Sequence, residues 1–174
     1  FLAGRGRYNP VMVREDRRES NENPVYWEQR ERCAGFVEGL QRNGLAEDDA
    51  SWINVERLEP ALNEFEPGRV VARQLLNRKR RPGAVIVRRD AMAVGLIMAL
   101  QEAGVAVPGE IAVVGFGDEP MAPYLNPPLT SVAKDVEEIA ERAASDLMGA
   151  INNKHTLKES MRLSPCRLLI RGTS

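Results

Sequence analysis

Apolar and polar positions fall into short blocks along the chain, and the blocks read alternately as strands and helices. Ile111-Ala112-Val113-Val114 is an unbroken apolar run ahead of Gly115-Phe116-Gly117. Such a run, rich in β-branched residues and closed by a glycine turn, predicts a strand covered on both faces. Ala84 to Val87 predicts another, and Ala50 to Leu58, carrying Trp52, Ile53 and Val55, a third. Phe1-Leu2-Ala3-Gly4 reads as the end of a further buried strand. Between these blocks the spacing changes. From Trp27 to Asn43, Cys33, Phe36, Val37 and Leu40 share one helical face, with Gly44 as the stop. Pro67 to Arg78 predicts a second helix, with Pro67 in its first turn and Val71, Leu75 and Leu76 inward. Asp90 to Gly104 is apolar on nearly every side, so it predicts a helix covered all round, capped by Asp90. Gly95, inside it, predicts a close approach by a neighbour. Strands alternating with helices give an α/β class: a mostly parallel sheet with helices on both faces.

Two blocks fit this alternation less simply. Residues 5–26 are polar, with Asn-Pro pairs and no period, and predict a long loop, either solvated or folded as a lid. Asp135 to Ile151 opens with the capping box Asp135/Glu138 and carries the stripe Val136, Ile139, Ala140, Ala143, Leu147 and Ile151. Met161 to Ile170 predicts a last strand, interrupted by Pro165. The cluster Arg78-Lys79-Arg80-Arg81 reads as a solvated helix end, where cations suit the carbonyl dipole, ahead of nucleic-acid contact.

Charge and composition narrow the chemistry. With 174 residues the chain is long enough for one domain with a substantial core. A formal net charge of −1 gives no global attraction to nucleic acid or to an acidic membrane surface. No apolar run approaches a membrane span. Two cysteines, Cys33 and Cys166, and one histidine, His155, are too sparse for a metal cluster, and no cofactor is expected. One histidine also leaves little for acid–base catalysis. Val114-Gly115-Phe116-Gly117 resembles a dinucleotide turn, but Pro120 holds the third glycine position and no acidic residue follows a second strand at the right distance. An enzyme is therefore not expected.

Several stretches, in order, carry a resemblance. They are Arg32-Cys33-Ala34-Gly35-Phe36; Asp90-Ala91-Met92-Ala93-Val94-Gly95 running to Gly104 and Pro108; Val114-Gly115-Phe116-x-Asp118; and Pro127-Pro128-Leu129-Thr130-Ser131-Val132. Together they resemble the effector domain of the lactose-repressor (LacI/GalR) family of bacterial transcription regulators, over most of the chain except about residues 6–26. The resemblance implies one lobe of a type I periplasmic-binding-protein-like fold, made of residues 1–132 and 157–174. Residues 133–156 would then be a helix crossing to a first lobe. It implies that most of this first lobe and a DNA-binding helix-turn-helix lie upstream, that DNA is met only through that missing part, and that the protein works as a homodimer; Cys33 and Cys166 could form one disulfide, but two isolated thiols in a chain this long more often mean a reducing cytoplasm. The 128–134 segment would belong to the hinge.

The same resemblance implies a small sugar-like effector as partner and picks out its contacts. Arg32 matches an arginine that reaches ligand oxygens. An aromatic residue from the Pro60–Glu66 loop often stacks on the sugar; Phe65 is the aromatic there, although ungapped spacing points to Asn63. Two departures stand out. Arg89 replaces a ligand-contacting amide, and Gly117 replaces the first of two aspartates, leaving Asp118. A carboxylate lost and a guanidinium gained on one wall suggest an anionic effector, because arginine pairs with carboxylate or phosphate through a planar fork. The competing account has Arg89 pair with Asp118 or Glu119, and Arg32 with Glu28 or Glu31. A periplasmic sugar-binding protein of a transporter shares this fold and is the second functional reading.

Overall fold

A computed structural model of the chain describes residues 10–16, 24–45, 51–56, 63–152 and 164–174. Six strands form one sheet in the order β2-β1-β3-β4-β5-β6. They are β1 (Pro10–Asp16), β2 (Ser51–Glu56), β3 (Ala84–Ile86), β4 (Ala112–Gly117), β5 (Thr130–Lys134) and β6 (Cys166–Leu169). Every pairing is parallel except β5 with β6, so the expected α/β class holds. Four helices connect them: α1 (Pro24–Arg42), α2 (Glu66–Leu76), α3 (Asp90–Glu102) and α4 (Val136–Ile151). The chain runs from β1 outward to β2, then back past β1 to β3. Right-handed crossovers therefore put α1 on one face and α2 with α3 on the other.

The core lies between the sheet and the α2–α3 pair. Val11, Val13, Val85, Val113, Val71, Leu75, Leu96 and Leu100 are among its buried members. In α3 the residues from Asp90 to Ile97 are all buried, as an all-apolar helix demands. Two glycines let the helices touch. A Cβ on Gly68 would lie 2.0 Å from the Met92 carbonyl oxygen, and one on Gly95 would lie 1.9 Å from that of Phe65. The close approach expected at Gly95 is thus present, and Gly68 is its counterpart on α2.

Several expectations need correction. The polar stretch 5–26 is not one loop: Pro10–Asp16 is β1, a strand hydrogen-bonded on both sides, and α1 already begins at Pro24. Val11, Met12 and Val13 are all buried, although only three apolar residues stand between a proline and a charged run. Asp90 does not cap α3. Arg89 holds that position without a side-chain bond, and the Asp90 carboxylate turns into the protein. Helix α2 begins at Glu66, one residue inside the expected loop. The last strand is shorter than expected, starting at Cys166 after Pro165. Residues 161–163 lie outside the described residues, as do Phe1–Gly4 and His155. On α4 the Asp135 carboxylate does accept from the Glu138 amide at 3.1 Å, as the capping box requires. No residue of α4 is buried.

Candidate effector crevice

The strand order reverses direction between β1 and β3, and in open α/β sheets ligands bind beyond the carboxyl ends of the strands at such a point. Strand β3 ends there at Ile86, and the chain runs on through Val87-Arg88-Arg89. Beside it β4 ends in Phe116-Gly117, and the chain turns sharply. Gly117 has φ of 131° and Asp118 has φ of 53°. Glycine takes such angles without a Cβ penalty, and aspartate is among the few other residues that visit the left-handed region.

A buried polar set holds this turn. Asp90, fully buried in the first turn of α3, accepts from Ser131 Oγ at 2.7 Å and from the Glu119 amide at 2.7 Å. Ser131 Oγ in turn accepts from the Asp118 amide at 3.0 Å. The positive end of the α3 dipole supports a carboxylate in that position. Gly115 is required for the fit, since a Cβ there would lie 2.1 Å from Asp90 Oδ1. Glu119 has its carboxyl pushed above the ordinary value, first by burial and then by the carboxylates of Asp90 and Glu64, with Arg89 opposing the shift.

Arg32, from α1, reaches the same rim. Its guanidinium lies 3.7 Å from the centre of the Phe116 ring, and Nη1 donates to the Arg88 carbonyl at 3.1 Å. This is a stacked cation on an aromatic face, fixed by one backbone acceptor. Arg32 is half-buried, whereas Arg89 is exposed. Phe65 is half-buried and stands at the start of α2 with its carbonyl against Gly95, six residues beyond Arg89 and so roughly 9 Å along α3. Asn63 is occupied with the backbone: its Oδ1 accepts from the Phe65 and Glu66 amides at 3.0 and 2.8 Å. The structure therefore brings Arg32, Gly117 and Asp118 to one rim with Arg89 next to them, and sets Phe65 further off.

Two residues of the C-terminal tail that brace this region are invisible to motif reading. Arg171 Nη2 lies 2.7 Å from Asp118 Oδ1, so Asp118 is paired from the C-terminal tail and not by Arg89. Thr173 is buried and joins that tail to β4, its hydroxyl donating to the Val113 carbonyl at 2.7 Å. Neither sits in a patterned element, so period and spacing gave no signal. Among the described residues no group of three metal-ligating side chains occurs, and no helix is long and apolar enough to cross a membrane.

Comparison with known proteins places this geometry. The periplasmic binding protein-like domain matches residues 1–174. The ribose operon repressor of Escherichia coli (strain K12) is 34% identical over 143 residues, which is 82% of this chain and 41% of that protein. The chain thus spans well under half of that relative. A crystal structure of a sugar-binding transcriptional regulator of the LacI family from Escherichia coli, complexed with phosphate, aligns at a TM-score of 0.69 and 26% identity, over 97% of this chain and 55% of that one. A LacI family transcriptional regulator from Lactobacillus casei with bound sucrose aligns at 0.70 and 26%, over 97% and 57%. On the full-length domain match and these relatives, the chain belongs to the periplasmic binding protein-like domain family, in the form carried by LacI-family transcriptional regulators.

Proposed function

We propose that this chain is part of the ligand-sensing module of a transcriptional regulator, with the crevice beyond β3 and β4 as its effector site. The observation that carries the reading is the meeting of Arg32, Gly117 and Asp118, with Arg89 alongside, where the strand order reverses. Arg32, Phe65, Arg89, Gly117 and Asp118 are the residues assigned to the ligand. Arg89 is exposed and stands at the carboxyl end of a strand, so it can meet a carboxylate or phosphate through two parallel N–H groups. The effector class is accordingly a sugar acid or a phosphorylated sugar. Closure of two lobes on it would change the placement of DNA-binding heads, a coupling between two sites through a two-state hinge. Residues 133–156, including α4, would cross to the other lobe. A second copy of the chain is the expected partner, and Met98, Met121, Tyr124, Leu168 and Ile170 are among the exposed apolar residues available for it. A monomer in sedimentation equilibrium of the complete protein removes the second copy from this account.

Calorimetry of the complete protein with neutral and acidic sugars tests the effector class. Arg89→Ala is expected to weaken an acidic sugar by about 10- to 100-fold, the worth of a hydrogen bond to a charged group. Tight binding of a neutral sugar, unchanged in Arg89→Ala, rejects the anionic class. The transporter reading has less behind it, since the relatives just described are transcriptional regulators.

A further inference from the structure

Arg171 lies two residues beyond β6 and makes three contacts, two at the start of β5 and one at the turn after β4. Its backbone amide donates to Thr130 Oγ1 at 2.8 Å, and its Nη1 donates to the Leu129 carbonyl at 2.8 Å. Its Nη2 stands 2.7 Å from Asp118 Oδ1, as a charge contact and not an aligned hydrogen bond. Both side chains are largely withdrawn from water, with 19% of Arg171 and 25% of Asp118 exposed. The tail that delivers the guanidinium is itself pinned. Thr173 donates its amide to the Pro128 carbonyl at 3.0 Å, and its carbonyl accepts from the Val113 amide at 2.8 Å. The Thr130 amide donates to Thr173 Oγ1 at 2.9 Å. The guanidinium therefore arrives from a backbone with little freedom, at a turn already in an uncommon conformation.

The charge count around that turn is what gives the pair its consequence. Asp90, Asp118 and Glu119 crowd one short segment, and the Asp118 and Glu119 amides are both spent on holding it closed. Without a cation, the Asp118 carboxylate would stand as an uncompensated negative charge at this turn and would repel any anion entering the crevice. Arginine is suited to prevent this because it stays protonated at any accessible pH.

Building on the effector reading above, we propose that Arg171 is a positioning and charge-setting residue of the crevice. It holds Asp118 in the left-handed turn after β4 and cancels its negative charge, so that the wall accepts an anionic ligand. The C-terminal tail, distant in sequence from every motif, thereby decides the shape and polarity of the effector site.

The test uses the complete protein with Arg171→Gln, Asp118→Asn and the two combined. Amide hydrogen exchange reads the turn without any ligand. Arg171→Gln is expected to speed exchange at Asp118 and Glu119 by about 10-fold while Val87, bonded within the sheet, is unchanged, because local opening needs no global unfolding. Adding Asp118→Asn restores protection, since a neutral amide needs no counter-charge. Unchanged exchange at the two amides overturns the proposal. So does acceleration of Val87 in step with them, or failure of the double variant to recover. Binding reads the charge: ribose 5-phosphate is expected to weaken about 10-fold in Arg171→Gln, with ribose within about twofold of the parent. Equal loss for both sugars overturns the charge-setting role. If the parent protein shows no preference for ribose 5-phosphate while the exchange result stands, the anionic effector class is what falls, and the positioning role is upheld.

Discussion

Helices α3 and α4 are similar in length and opposite in situation. Nine residues of α3 are buried, whereas α4 buries none. The sequence of α3, Asp-Ala-Met-Ala-Val-Gly-Leu-Ile-Met-Ala-Leu-Gln-Glu, has almost no polar side to turn outward. Sheet, α2 and the loop ahead of α2 enclose it. By contrast, α4 carries charged residues over much of its surface and concentrates Val136, Ile139, Leu147, Met148 and Ile151 where they remain exposed. The first helix is finished by this chain alone. The second holds an exposed apolar face. Hydrophobicity thus reports two different things: a helix apolar all round belongs to its own core, and a single stripe asks what lies beyond.

The largest expected break in this contrast is Leu96→Ala. Leu96 is fully buried between α2 and the sheet, and its loss is expected to cost about 2–5 kcal/mol, the transfer term plus the cavity left behind. Urea denaturation reads it as a lower midpoint at unchanged slope, and a cost below about 1 kcal/mol would mean that the α3 core collapses to fill the gap.

A smaller effect sharpens the account of where α3 begins. Glu119 sits above its ordinary value of 4.5 because it is partly buried beside Asp90 and Glu64. A carboxyl raised on folding binds its proton more tightly in the native state than in the unfolded one. Its contribution is therefore favourable at low pH and is lost as pH climbs from 4.5 through the raised value. Glu119→Gln should flatten that part of the stability–pH curve, as measured by urea midpoints at a series of pH values. An unchanged slope would show that the neighbouring carboxylates exert no net effect.

The smallest effect is expected on α4. In the 174-residue chain, Val136→Ser should change stability by no more than about 0.5 kcal/mol, since a side chain 62% exposed has little packing to lose. If α4 crosses to another lobe, as proposed above, the same change in a protein that carries that lobe should cost more. Equal, negligible costs in both would show that the stripe is ordinary surface.

Much of this molecule was legible from residue order because its signals are local. The β4 run, the enclosure of α3, the Gly95 approach and the Asp135 cap each follow from a handful of neighbouring residues. What escaped was set by partners distant in sequence. Strand β1 offers three apolar residues between Pro10 and Arg14, too few to distinguish a strand from a loop until β2 and β3 pair with it on both sides. Asp90 carries the signature of a helix cap, yet Ser131 and the Glu119 amide draw its carboxylate away. At the candidate crevice, Arg32, Gly117 and Asp118 were picked out by resemblance, and Arg32 lies on the ring of Phe116, the neighbour of Gly117. Arg171 was not, because nothing near it in the chain announces a guanidinium 2.7 Å from Asp118.

The seam at Gly95 has a mechanical consequence. Two backbones touch there with no side chain between them, the Phe65 carbonyl resting against α3. A joint of that kind cannot slide by a rotamer's width, because it contains no rotamer. Any movement of the Arg89 corner must carry the 63–66 loop along as part of the same plate.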